Sequence, residues 1–175
     1  MFWGLDAGLA RQRHFPAINW LSSYSLYPQA LDQWYRDNIA SDFPEIRTEI
    51  SALLQVEAEL QEIVQLVGSD ALPIDQQLTL EVARMIREFF LQQNAFHDVD
   101  TYSNLKLQYT MARAILSFQD EAKKAIAGGA DLESVVNVQA RTDIMRGRFE
   151  EGYEERIEKL VKEMGKQIAA TMEEN

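Results

Sequence analysis

The chain contains no cysteine, which excludes disulfides, thiolate zinc sites and cysteine nucleophiles. Histidine is almost as scarce, with only His14 and His97. His97 sits near Asp98 and Asp100, but a local i, i+1, i+3 set lacks zinc-like spacing. A structural or capping role is expected for it, and no metal site. Phosphate cradles are missing too. No stretch reads G-x-x-x-x-G-K-[ST]; Gly165-Lys166 is followed by Gln167, and no G-x-G-x-x-G occurs. No apolar run approaches the roughly 20 residues of a membrane span. Charges at Asp6 and Arg11 interrupt the front of the chain without a cleavage pattern. A soluble, cytoplasmic protein with no direct membrane insertion is expected. Positive charge is in deficit: 17 Lys and Arg face 28 Asp and Glu, a net charge of -11. Such a surface repels phosphate backbones, so nucleic acid is not an expected partner.

The 175 residues are 46% hydrophobic, enough for one domain with a core and a small appendage. Two regions differ in character. Residues 1–27 are rich in aromatics (Phe2, Trp3, Phe15, Trp20, Tyr24, Tyr27) and poor in carboxylates. They show no clean period and predict irregular structure. Residues 28–175 read as helix after helix, and no convincing strand or repeat is evident. The expected fold is an all-α bundle of about five to six helices behind an irregular remnant.

The helices are marked by period and punctuation. Pro28 suits a first turn, and a short helix runs from it to about Asn38. Ser41 or Asp42 caps the next, with Pro44 in its first turn. There Ile46, Ile50, Leu53, Leu54, Leu60, Ile63, Val64 and Val67 fall on one face, and Gly68 is a left-handed stop. A connector, Ser69-Asp70-Ala71-Leu72-Pro73-Ile74, precedes a helix from about Asp75 that buries Leu78, Val82, Met85, Ile86, Phe89 and Phe90. A break follows over residues 92–100. Ser103 is the expected cap of a helix that turns Leu105, Tyr109, Ala112, Ile115, Leu116, Ala122 and Ile126 inward and stops at Gly128-Gly129. Asp131 caps a short helix over residues 132–138. The tail, residues 140–172, carries the stripe Tyr153, Ile157, Leu160, Val161, Met164 and Ile168, with a bend near Gly147.

Catalytic constellations are hard to find. Glu150, Glu151, Glu154, Glu155 and Glu158 cluster, but they interleave with Arg148, Arg156, Lys159 and Lys162. That pattern reads as a solvated helix face with i,i+4 pairs, not as paired acid/base carboxylates. No serine or threonine sits in a nucleophile elbow. Two loop aromatics remain. Phe15 precedes Pro16 in a segment biased away from helix, and Phe96 follows the amides Gln92 and Gln93 in the break. A loop ring flanked by amides suits a planar base; core filling is the plain alternative.

The run Phe2-Trp3-Gly4-Leu5-Asp6, then Leu9-Ala10, then Arg13-His14-Phe15-Pro16-Ala17-Ile18-Asn19-Trp20-Leu21-Ser22-Ser23-Tyr24-Ser25 closely resembles the catalytic A chain of archaeal and vacuolar-type ATP synthases. The likeness continues to the end of the chain. More distantly, Leu60-Gln61-Glu62-Ile63-Val64-Gln65-Leu66-Val67-Gly68 looks like the helix of the F-type beta subunit that leads to its stalk-contacting loop, with Leu78-Thr79, Ala83-Arg84, Ile86 and Phe89 fitting the helix after it.

The resemblance implies a division at residue 27. Residues 1–27 would be the C-terminal edge of the nucleotide-binding domain, and residues 28–175 the C-terminal bundle against the central stalk. It implies that Phe15 and Phe96 contact adenine from two sides, with Ala95, Gln92 and Gln93 nearby. Asp70, Ala71, Leu72, Pro73, Ile74 and Asp75 would be the stalk-contacting tip. In F-type enzymes that loop is strongly acidic; here only Asp70 and Asp75 flank apolar residues, so steric and apolar contact is expected instead. The implied parent is an ion-translocating ATP synthase that binds ATP or ADP with magnesium. Its head alternates three catalytic A with three non-catalytic B subunits around central-stalk subunits. The phosphate-binding loop, its lysine, the magnesium ligand and the catalytic glutamate of the family are not in this sequence. The chain alone is therefore expected neither to be catalytic nor to bind nucleotide tightly, and Met1 at the front of a family-internal motif suggests an engineered piece. Without the resemblance, the chain reads as a self-standing helical adaptor or a small nucleotide-binding protein.

Overall fold

The structure is a computed structural model, and it describes residues 1–150 and 152–173. Eight α-helices form the bulk of these residues: α1 (Ala7–Arg11), α2 (Pro28–Asn38), α3 (Phe43–Val67), α4 (Ile74–Met85), α5 (Leu105–Ala127), α6 (Leu132–Val136), α7 (Gln139–Gly147) and α8 (Tyr153–Ala170). Among the described residues, no helix is long and apolar enough to cross a membrane.

The all-α bundle stands, but the front of the chain is more regular than its sequence suggests. Strands β1 (Phe2–Leu5) and β2 (Ile18–Tyr24) pair antiparallel, with a register irregularity between Phe2 and Gly4. Alternation fails as a signal here because neither strand has one wet and one buried face. The whole of β1 and β2 is exposed or half-buried. Asp6 organises the corner between them. Its carboxylate accepts from the amides of Gly8 (2.7 Å) and Leu9 (3.2 Å), capping α1, and from Asn19 Nδ2 on β2 (2.9 Å). These bonds hold the Asp6 carboxyl below the usual range, with Asn19 the largest cause.

Helix α5 is the axis of the bundle. Its apolar residues recur every three or four positions, so Leu107, Met111, Ala114, Ile115, Phe118, Ala122 and Ala125 are all buried. Against it lie Leu78, Val82 and Met85 of α4, Ile144 of α7, and Ile157, Met164 and Ile168 of α8. The α5 cap is Asn104, not the expected Ser103. Asn104 Oδ1 accepts from the Leu107 amide at 2.8 Å, three residues on, which is the reach of an N-cap side chain. Asp131 caps α6 as expected, accepting from the Ser134 amide at 3.1 Å. Asp42 stands at the α3 N-cap but spends its carboxylate elsewhere, on Tyr109 Oη (3.0 Å) and Arg113 (2.7 Å) of α5.

Three features depart from what the sequence leads one to expect. Helix α4 does not run on as an α-helix to Leu91. Ile86–Leu91 is a π-helical turn, closed by the Gln92 amide donating to the Arg87 carbonyl five residues back (2.9 Å). The outer end of α3 projects past the core, leaving Ile63, Leu66 and Val67 exposed. The tail bends where expected: α7 ends at Gly147, and Gly152 (φ 71°) precedes α8. Arg148 within that bend is buried, however, with 7% of its surface exposed. It is not part of a solvated face. Arg156 does pair with Glu150 (2.5 Å), in solvent, but across the bend and six positions apart instead of the expected four; Glu151 lies outside the described residues.

Candidate functional site

The segments holding Phe15 and Phe96 meet. After α1 the chain turns through Arg13 in a left-handed conformation (φ 59°) and enters the cis Phe15–Pro16 peptide. The Phe15 carbonyl accepts from the Gln93 amide at 2.6 Å. Gln93 lies just beyond the end of the π-turn, so this bond joins the front of the chain to the helix that begins at the tip. Phe15 is half exposed and Phe96 almost wholly so, at 97%. Neither ring stacks on another aromatic among the described residues. A shallow pocket of about 210 Å³ lies alongside, lined by Pro16, Phe90, Leu91, Gln93, Ser103 and Gln108.

The loop that carries Phe96 is tied to itself. Asn94 Oδ1 accepts from the Phe96 amide (3.0 Å), and Thr101 Oγ1 donates to the carbonyls of His97 (2.6 Å) and Ala95 (3.1 Å). His97 Nδ1 accepts from the amides of Val99 and Asp100 (3.3 and 3.4 Å), a turn-capping arrangement. Ala95 is exposed on this loop, and Gln92 is half-buried. The Gln93 side chain is already engaged, since its Nε2 donates to the Asp100 carbonyl (3.0 Å).

Beneath the loop lies a set of residues that no motif marks in the sequence. His14 links the front segment to the π-turn, its ring nitrogens each 3.2 Å from a carbonyl, of Pro16 and of Arg87. The Arg87 guanidinium reaches Glu57 of α3 at 3.1 Å. Burial raises the Glu57 carboxyl pKa above its ordinary value, and the Arg87 charge opposes that rise. Arg148 Nη1 donates to the Phe89 carbonyl (2.5 Å), and Nη2 lies 3.6 Å from Asp100 Oδ2. Asp100 is buried and also accepts from the Asn94 amide (2.6 Å). Side chains thus serve the carbonyls of Arg87 and Phe89, both inside the π-turn. One sequence cue exists: an arginine, Arg148, placed between Gly147 and Gly152 where the tail bends.

The tip, residues 68–75, forms a tight cap at the far end of α4. Gly68 (φ 85°) leaves α3 in a conformation that L side chains rarely adopt. A 3₁₀ turn, Ser69–Ala71, leads to Pro73, which precedes α4. Asp70, Ala71, Pro73, Ile74 and Asp75 are exposed. Leu72 is not: it is buried at 7%, and its carbonyl accepts from Gln77 Nε2 (2.8 Å). Leu72 anchors the tip, while Leu66 (85% exposed), Val67 and Ile74 form its apolar surface.

A family model described as the C-terminal domain of V and A type ATP synthase matches residues 32–136. The chain belongs to that family. The match runs from α2 to the end of α6, and so includes the tip, the π-turn and the Phe96 loop. The chain is 54% identical over 167 residues to the A subunit of the A-type ATP synthase of Natronomonas pharaonis, covering 95% of this chain and 28% of that protein. It is 49% identical over 170 residues to the corresponding A-type protein of Methanosarcina mazei, covering 97% and 29%. It is 51% identical over 169 residues to a V-type ATP synthase alpha chain of Clostridium tetani, covering 96% and 28%. The chain therefore spans under a third of the length of these relatives.

Proposed function

We propose that this module forms the adenine-contacting and stalk-contacting part of the catalytic subunit of a V/A-type, ion-translocating ATP synthase. The observation that carries this reading is the Gln93–Phe15 bond. It fixes two exposed aromatic loops side by side at one end of a continuous helical rod, α4 plus the π-turn. The other end of that rod is the tip. Adenine would rest against Phe15 and Phe96, with Ala95 and Gln92 at its edge and Gln93 bracing the loops. The phosphates and magnesium of ATP or ADP would be held outside this chain, where the phosphoryl-transfer chemistry belongs. The neighbours in this reading are the B subunits of an alternating hexamer and a central stalk, in a head peripheral to the membrane on its cytoplasmic side.

Nucleotide occupancy would then bias the rod, and the tip would push on the stalk through Leu66, Val67 and Ile74. Contact there is apolar because the tip carries only Asp70 and Asp75 as charges among residues 68–75. In the assembled complex, the double substitution Leu66→Ser, Ile74→Ser is expected to lower rotation per ATP hydrolysed while leaving the melting temperature near that of the parent. Leu72→Ala should act on stability first. It should destabilise the protein by about 2–5 kcal/mol, the usual range for deleting a buried leucine, through loss of the tip's anchor. Single-molecule rotation with thermal melts reads both. Unchanged rotation and torque in the double variant would reject the tip assignment.

A further inference from the structure

The geometry points to Arg148, held by Asp100, as a positioning residue for base binding: it locks the Phe96 loop to the end of the π-turn. This inference rests on the adenine-contact reading and adds to it the residues that set the loop. Arg148 lies some fifty positions beyond Phe96 in the chain, outside the stretch matched by the family model. Nevertheless it reaches the Phe89 carbonyl at 2.5 Å, four residues before Gln93. Its other terminal nitrogen lies at ion-pair distance from Asp100, 3.6 Å. Asp100 grips both sides of the loop start: its carboxylate takes the Asn94 amide at 2.6 Å, and its carbonyl takes Gln93 Nε2 at 3.0 Å. Gln93 in turn holds Phe15 through its amide. One buried charge pair thus fixes the backbone on which both rings stand.

The burial of the pair matters. Arg148 and Asp100 are both nearly inaccessible, and burial pulls the Arg148 pKa down while the Asp100 charge opposes the fall. Buried charges of this kind are costly when their partner is removed. Removing either member would leave the other charge buried without its partner. A surface arginine serving only solubility would hold neither a main-chain carbonyl nor a buried carboxylate. The Phe149 ring, 4.7 Å from the guanidinium and 4.9 Å from the His97 ring, closes the same cluster against the loop.

The test uses the full catalytic subunit in its assembled complex, with Arg148→Met, Arg148→Lys, Asp100→Asn and Phe96→Ala. Two constants are read for each: KM for ATP hydrolysis, and the inhibition constant of tripolyphosphate, a competitor without a base. A positioning role predicts that Arg148→Met raises KM for ATP about tenfold, part of the value of one base stack, with a smaller change in kcat. The tripolyphosphate constant stays near that of the parent, and Arg148→Lys recovers part of the loss. General damage would move both constants together and would overturn the proposal. If Arg148→Met fails to assemble, Asp100→Asn, which keeps the shape and removes the charge, decides the matter through the same ratio of constants. If Phe96→Ala raises the ATP constant while the Arg148 and Asp100 variants do not, the lock is refuted and the base contact survives. If Phe96→Ala also changes nothing, the adenine-contact reading itself has failed.

Discussion

Phe96→Ala in the full catalytic subunit is expected to weaken ATP binding by about 5- to 150-fold, because base–aromatic stacking contributes about 1–3 kcal/mol per base. Phe15→Ala is expected to fall in the same range. The two rings differ in a way that orders them. Phe96 is 97% exposed and Phe15 48% exposed, so a planar ligand would remove more apolar surface from water at Phe96. The larger loss is therefore expected there. Neither substitution should harm folding appreciably, since neither ring packs in the core. Equilibrium titration of nucleotide onto the assembled head measures the loss. The double variant tests whether the rings act on one ligand. Two faces of the same base should give a combined loss that departs from the sum of the single losses, because residues sharing a partner couple.

The largest expected effect on stability lies in the axis helix. Phe118 of α5 is fully buried, and its ring sits 5.4 Å from the Arg141 guanidinium of α7. Arg141 also pairs with Glu81 of α4 at 2.7 Å and donates to the Val136 carbonyl at 2.7 Å. Phe118→Ala would remove the packing floor beneath that three-way junction. A cost of about 3–5 kcal/mol is expected for a buried phenylalanine, a large share of the roughly 5–15 kcal/mol that holds a domain folded. Chemical denaturation should show the lowered midpoint. The same substitution at the half-exposed Phe15 should leave the midpoint nearly in place, which separates core filling from ligand contact for the two aromatics.

The helices are legible in the sequence because their signals are local. The three- and four-residue spacing of apolar side chains in α3 and α5, the proline at the start of α2, Gly68 at the end of α3 and Asp131 before α6 all act within a turn or two of the chain. What escapes depends on partners far away in sequence. Strands β1 and β2 lack alternation because they lie on the outside of the bundle with no buried face. The π-turn is invisible in the sequence, since Ile86, Phe89 and Phe90 continue the apolar stripe of α4 whichever hydrogen-bond ladder carries them. Arg148 reads as solvated from its charged neighbours, but the bend between α7 and α8 folds it inward beneath Phe89. Leu72 misleads for a similar reason. A connector leucine gives no sign in sequence of whether it faces out or plugs the turn.

The candidate site is legible in a different way. Phe15 and Phe96 both stand out in the sequence as loop aromatics, but nothing in composition or spacing joins them, and only the family resemblance assigns them to one ligand. The fold supplies the physical connection, a single short backbone bond from Gln93 to Phe15. It also supplies the under-structure of His14, Arg87, Glu57, Asp100 and Arg148. Most of these side chains engage backbone carbonyls and amides whose positions only a folded chain defines, so their roles have no sequence pattern to advertise them.

In the proposed function, adenine sits between the Phe15 and Phe96 loops while the rest of the nucleotide is held elsewhere. The most direct test is to photolabel the full catalytic subunit with an ATP analogue bearing an azide on the adenine ring, then map the modified residues by mass spectrometry. Adducts are predicted within residues 13–16 and 92–97, suppressed by excess ATP. Saturable labelling confined to other segments would contradict the adenine contact.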